Sequence, residues 1–524
     1  MKLNKTTYKW SLNHILKEGD TDLFPIPFEF SAIKSNWEKT VNELIKIDIE
    51  NYSWKGYRKF IVPKGTLSFR KAVQLDPIDS LIITAIIKKY GSKIEEKRIP
   101  IEENIVYSYR FKPNKNGAFY DNSNSWHEFW ESSLEKSKKY KYVVISDIVD
   151  FYNQIYHHVL ENQLPSTMPK EVRQAIKNFL QSYSDGVSRG IPVGPHSTHL
   201  LAEASLITLD HSLLSDNYIF NRYIDDIHIF THSKEEAEIA LYDLVEKLDN
   251  QTLVIQKSKT KIVKSNEFQK IATNMLIDQP INKDEKRIIK MIGKVTNNNP
   301  YVNIKLTQLT DEDISLLKKE VLEELLSIYI KQKDINYQRL AWLLRRLTQV
   351  GTPEALEYII KNIDVFTPIL GEVGRYIMKS ANNYLGDLKQ LGKLLINVLE
   401  VPLVQHSEYL QMIIINIFSE IPDFNHIDKI TSFFKKAQPS IKREIIRAAE
   451  KSHQGSWLRE TKKDFESSDR WLRRSIVQSS HEFPGDEMEH WLNKKKKTFD
   501  GLEKIVGLGS IKGKKIKFGE IKLI

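Results

Sequence analysis

Two short stretches carry the residues best suited to chemistry: VVISDIVDFY, ending at Tyr152, and NRYIDDIHIF, ending at Phe230. Each sets carboxylates at the end or turn of a β-forming run. In the second, Asp225 and Asp226 are adjacent, with apolar residues on both sides. Such a pair is costly unless a cation neutralises it. Two divalent ions held by carboxylates from separate strands are the machinery for moving a nucleotidyl group. Asp147, Asp225 and Asp226 are therefore the candidate metal ligands, with Mg²⁺ as the expected ion and Mn²⁺ as the alternative.

Local pattern assigns the elements around them. Tyr142 to Ile145 is β-rich and Asp147 closes the strand. FYNQIYHHVLEN reads as one helix, and Asp150 just before it is expected to serve as its N-cap. YIFNRYI and IHIF read as two arms of a hairpin whose tip turns both Asp225 and Asp226 toward one site. Between the two stretches lies SRGIPVGPHSTHLLAEASLITLD. Its Gly190, Pro192 and Gly194 form a loop of close backbone approach, entering a long helix near Ser197. That loop serves either to lie against a base pair or an incoming nucleotide, or as a plain connector.

The chain of 524 residues is too long for one core. Before residue 300, β-like runs (KYVVISDI, YIFNRYI, IHIFTH, TLVIQ) alternate with helical stretches such as EEAEIALYDLVEKLDN, an α+β pattern. VTNNNPYVN at 295–303 reads as a linker. Beyond it nearly everything is amphipathic helix, either paired in a HEAT-like α-solenoid or gathered in a non-repeating bundle. The expected divisions are an N-terminal extension (1–48), the α+β domain (49–295), an all-α helical-repeat domain (304–492) and a basic C-terminal tail (493–524). The tail is either solvated or in contact with phosphate.

The formal net charge of +10 permits nucleic-acid binding, although a lysine-rich composition accounts for part of the excess. The absence of cysteine excludes disulfides, thiolate metal sites and Cys nucleophiles. With no signal-like N-terminus and no run of about 20 apolar residues, a soluble cytoplasmic protein is expected.

The order DIVDFY, GIPVG…S…LLAE, YIDD resembles motifs A, B and C of the reverse transcriptases. LVIQKSKTKI is similar to motif D, with Lys259 and Thr260 in the Lys-Thr positions. VPKGTLSFRKAVQLDPIDSLIITAIIKKYG resembles the fingers motifs, and VYSYRFKP the aromatic-basic segment preceding the palm. The resemblance spans roughly residues 50–270 and implies a fingers-palm fold.

It also implies roles. Asp147, Asp225 and Asp226 would hold two Mg²⁺ ions, one activating the primer hydroxyl and one binding the triphosphate. Arg70, with Lys64 as second choice, would reach the triphosphate, and Lys259 would contact the nucleotide. Tyr152 would pack under the sugar and select deoxynucleotides, or else be a core tyrosine. Tyr223 would support the primer end, and Gly194 is the motif B glycine. Val193 stands where the family often has glutamine, and no thumb is evident after the Lys-Thr segment.

A fingers-palm followed directly by helical repeats is similar to the bacterial abortive-infection (AbiK-like) enzymes, a group of defence-associated reverse transcriptases. That likeness implies anti-phage DNA synthesis from dNTPs, without template and primed by the protein's own tyrosine. Single-stranded DNA would remain covalently attached to a homo-oligomer, a trimer or hexamer. Tyr8 is the candidate priming residue if its segment is exposed or flexible, with Tyr52 and Tyr57 as substitutes; otherwise Tyr8 is a packing aromatic. The alternatives are a template-copying, retron-like reverse transcriptase with a partner RNA, and a nucleic-acid-binding scaffold with a vestigial polymerase site.

Overall fold

The computed structural model describes every residue except 66, 122–123, 185, 277–279, 297–303, 512–515, 517 and 524, and no side chain at 306. Its centre is a four-stranded antiparallel sheet built on β3 (Tyr142–Asp147). β5 (Asp226–Thr231) lies on one side of β3 and β6 (Lys261–Lys264) on the other, with β4 (Ile219–Tyr223) outside β5. Strand alternation divides the core in two. Val144 and Ile229 pack with Ala237 and Leu244 of the helix Lys234–Asp249. Val143, Phe230 and Val263 face the opposite way, onto Phe129 and Phe268. The TLVIQ run is not a strand: only Ile255 bridges, to Ile148, and β6 follows it.

A two-stranded ribbon, β1 (Tyr57–Pro63) and β2 (Phe69–Leu75), projects from the helix Pro77–Glu95. Pro77 starts that helix and Asp76 caps it, accepting from the Ile78 N–H. The helix is apolar on nearly every side and is buried accordingly. One of the elements covering it is the helix Lys5–Glu18 from the N-terminal extension. Residues 1–48 are thus an integral wall of the fingers, with Leu12 and Ile15 fully buried.

The expected helix FYNQIYHHVLEN is broken into Phe151–Gln154 and His157–Gln163. The glycine loop causes the break. Gly190 N–H donates to Ile155 C=O (2.8 Å), Ile191 N–H to Tyr152 C=O (2.8 Å) and His157 N–H to Ser188 C=O (3.0 Å). The chain at Ile155 is pulled to an extended conformation to make these bonds. The long helix expected after the loop is likewise two, His196–Ser205 and Ile207–Ser215.

In the C-terminal half, the helices Tyr337–Val350, Leu370–Ser380, Glu408–Glu420, Pro439–Lys451, Arg470–Ser479 and Gly501–Ser510 stack in chain order, with shorter helices between them. Most of the linker expected at 295–303 lies outside the described residues. Its first two residues belong to the helix Lys283–Thr296, which packs on this array. The basic tail is corrected in part: Gly501–Ser510 is a buried helix with an Asp500–Glu503 capping box, packed on the helix Glu29–Ser35. The two ends of the described chain therefore meet.

Buried ion pairs lock the array to the fingers. Arg443 donates to both oxygens of Glu29 (2.8 and 2.7 Å), and both side chains are almost fully buried. Arg474 pairs with Asp76 at 2.7 Å. Arg58 of β1 donates to Gln74 (2.5 Å), pairs with Glu444 (3.4 Å) and lies over the Trp471 ring (4.3 Å). Breaking a buried pair from one side strands a charge. Glu29→Ala is therefore expected to cost about 3–5 kcal/mol in urea unfolding, whereas a cost near zero would mean that Arg443 finds another partner.

Candidate active site

The strand register brings the three predicted carboxylates together. Asp147, last in β3, pairs directly with Asp226, first in β5, and Tyr223 of β4 pairs with Asp226 from the other side. Asp225 occupies the two-residue turn between β4 and β5 with Ile224. A turn this tight demands a positive φ at its first position, usually supplied by glycine. Here Ile224 adopts φ +56°, a strained conformation for a β-branched residue.

A buried network holds that strain. Ile224 N–H donates to Ser108 Oγ (2.9 Å), and Ile224 C=O accepts from Arg222 Nη1 (2.9 Å). Arg222 is fully buried and grips Asp210 with two bonds (2.7 and 2.6 Å) and Glu203 with one (3.0 Å). Glu203 also accepts from Ser108 Oγ (2.5 Å) and Arg98 (2.8 Å). Burial pushes the Glu203 pKa upward, but Arg222 and Arg98 outweigh it and hold it below the usual range. These five residues went unpredicted. Their signal was a charge inside an apolar run: Arg222 in YIFNRYI, Glu203 in HLLAEASLI and Asp210 in LITLDHSLL.

The electrostatics at the sheet end are unbalanced. Burial, then Asp225, then Asp147 push Asp226 up to about 7. Burial and Asp147 also raise Asp225. Lys259 answers part of this, donating to Asp147 Oδ2 at 2.6 Å with its own side chain 56% exposed. Burial opposes the Lys259 charge, and Asp147 outweighs it, so the lysine pKa is raised. The charges of Lys64 and Lys259 both act to lower the two aspartates. Among the described residues no group of three or more His, Asp or Glu side chains stands converged as a ready metal cage. The donor set itself, three hard carboxylates with Asp225 and Asp226 destabilised as anions, suits Mg²⁺.

The remaining predicted residues divide. Tyr152 is partly buried; its hydroxyl hydrogen-bonds His199 Nδ1 (2.7 Å), and His199 stacks on Tyr109 (4.2 Å). Burial lowers His199 to about 4, so the ring is neutral and shares a single proton with the tyrosine hydroxyl across that bond. Burial above all, with Asp225 among lesser causes, raises the Tyr152 pKa. Tyr223 is partly buried, its ring 5.9 Å from Phe129. Gly194 has φ +123°, and a Cβ there would stand 3.0 Å from the Val73 carbonyl, so the glycine serves the close docking of its loop on β2. Val73 N–H donates to Val193 C=O there (2.8 Å).

Lys64, in the ribbon turn, acts on the aspartates, and the Arg70 charge acts on Tyr409 of the array. Arg70 Nε is buried with no hydrogen-bond partner. Asp150 is not the expected cap: it takes φ +45°, makes no capping bond and accepts from the Asn153 side chain (2.7 Å). Tyr8 is neither exposed nor on an irregular segment. It is 0% exposed within a helix, its hydroxyl has no partner, and burial raises its pKa. It neighbours Tyr52, whose hydroxyl donates to Asp79 (2.8 Å). Tyr57 lies on β1, its ring 5.2 Å from Tyr183.

The raised Asp226 has a defined sign in stability. Below about pH 4 both the folded and unfolded carboxyl are protonated. As pH rises toward 7 the unfolded group ionises first, and the folded state loses ground. In chelating buffer, Asp226→Asn should match the parent near pH 4 and exceed it at pH 8 by on the order of 2 kcal/mol in urea unfolding. A parent more stable than the variant at pH 8 would contradict the charge assignment.

Among the described residues no helix is long and apolar enough to cross a membrane. No curated protein matches the chain. Residues 62–293, which hold β2, the sheet and all three carboxylates, match the family model of reverse transcriptase (RNA-dependent DNA polymerase).

Proposed function

We propose that the protein polymerises deoxynucleotides at Asp147, Asp225 and Asp226. The observation that carries this reading is the register pairing of Asp147 with Asp226, with Asp225 at the adjoining turn, inside a segment that matches the reverse-transcriptase family. The three carboxylates would hold divalent cations once the Lys259 ammonium leaves Asp147. The chemistry supplied there is activation of a hydroxyl nucleophile and neutralisation of triphosphate charge. Around it the chain's own groups do the positioning. Lys64 and Lys259 bring positive charge to where a triphosphate would lie. Tyr152, tied to His199, offers a ring fixed in place rather than free to swing, as exclusion of a 2′-hydroxyl requires.

The finer reading is an abortive-infection polymerase that starts from a tyrosine of its own and needs no template. It is supported by the wording of GIPVG and NRYIDDIHIF and by the helical array that follows the palm. Tyr8 as primer would require the helix Lys5–Glu18 to leave its packing, because the phenol is buried where it stands.

Labelled dNTPs with Mg²⁺, and no added primer or template, test the proposal directly. Label that migrates with the protein and is released by protease is expected, and peptide mapping identifies the attached tyrosine. Label appearing only with added RNA and primer would replace self-priming by template copying. Asp225→Asn should lower synthesis at least 10³-fold, on the order of the loss of a principal transition-state stabiliser. Mg²⁺ should raise the melting temperature of the parent but not of Asp225→Asn; equal shifts would remove the carboxylates from metal binding. Tyr152→Ala should admit ribonucleotides, and unchanged sugar choice would remove Tyr152 from that role.

A further inference from the structure

A cleft of about 700 Å³ lies where the fingers meet the last helices of the array, and it contains none of the palm carboxylates. Its basic lining includes Lys55 from the fingers, Arg470 and Arg474 from one array helix, Lys496 and Lys497 from the end of another, and Lys504 from the final helix. Seven basic side chains line it against three acidic ones, so the cleft is strongly positive. Most of the acidic charge is already committed. Asp76 is paired to Arg474, and Asp500 caps the helix Gly501–Ser510.

Arg474 marks the cleft as more than a patch of surface lysines. Its side chain is 2% exposed, yet among the described residues Nε and Nη1 have no hydrogen-bond partner. Glu29 Oε1 stands 4.0 Å from Nη1. Unmet buried N–H donors are costly, and a charged acceptor is the partner that relieves them best. The floor is different in character: Phe499 and Phe518 are stacked, with ring centres 6.1 Å apart, and Ile78, Leu502 and Leu523 complete it. The volume falls in the range of small-ligand and cofactor pockets.

We propose that this cleft is a second, non-catalytic site for a ligand that joins several phosphates to a flat apolar group, a nucleoside triphosphate by size and charge. Arg474 and the lysines take the phosphates, and the phenylalanine floor takes the base. The site stands independently of the palm chemistry. Because Lys55 and Asp76 belong to the fingers and the other walls to the array, occupancy would reinforce the junction between them.

The test uses the full chain in chelating buffer, with ATP, inorganic triphosphate and a dT₁₀ oligonucleotide as probes, read by calorimetry and by melting temperature. ATP is expected to bind and to raise the melting temperature. The double charge reversal Lys496→Glu/Lys497→Glu should weaken ATP at least tenfold, while Lys333→Glu, at an exposed lysine that lines neither site, should leave it unchanged. Lys497→Ala, a milder change at an exposed position, should weaken it about threefold and guards against misfolding of the double variant. Triphosphate binding more weakly than ATP would support the role of the floor. Binding of dT₁₀ alone, ATP affinity unchanged by the double reversal, or ATP affinity lost in Lys333→Glu would each overturn the proposal.

Discussion

Three carboxylates crowded at one end of a sheet repel one another, and the fold exists around that repulsion. Asp225 and Asp226 are both held above their ordinary pKa by burial and by neighbouring acids. Nothing in the hairpin itself would keep them there, since its turn forces an isoleucine into a glycine-like conformation. The restraint comes from behind, where Arg222, Glu203, Asp210, Arg98 and Ser108 form a buried, multiply bonded network tied to the turn's own backbone. A network of this kind is rigid because each member would leave an unpaired group if it moved. Strain and repulsion at the surface of the site are thus balanced by electrostatic order beneath it.

The same division of labour recurs around Tyr152. A lone tyrosine ring can rotate; one hydrogen-bonded to a neutral histidine that is itself stacked on a second tyrosine cannot do so freely. The glycine loop then fixes the segment carrying Tyr152 by breaking a helix that local sequence favours. Tertiary hydrogen bonds outweigh local periodicity at Ile155, as they commonly do near sites that need a particular backbone path.

Short β-rich apolar runs and the turn pattern made the sheet and the hairpin legible in the sequence, because β3, β4 and β5 are such runs and the acids stand at their ends or in the turn between them. The site was legible to the extent that its chemistry is local: Asp147, Asp225 and Asp226 announce themselves as charges beside apolar runs. What stayed hidden is long-range. How near Lys64 comes to the acids depends on the twist of the ribbon. The burial of Tyr8 depends on the helix Pro77–Glu95, and the ordering of Gly501–Ser510 on the helix Glu29–Ser35. None of these partners is near in sequence, so composition around Tyr8 read as polar and the lysines after Asn493 read as a tail.

The ion pairs between the ribbon and the array also bear on motion. The ribbon is gripped at its base by Arg58–Glu444 and, at the residue that follows β2, by Arg474–Asp76, and along β2 by the glycine loop. Swinging the ribbon away as a rigid flap would expose several buried charges at once. Its tip, around Lys64, Leu67 and Phe69, stands clear of the packing. Access to the three carboxylates is therefore a matter of side chains at that tip rather than of hinge bending, and the helical array acts as a brace that sets the stiffness of the half that carries them.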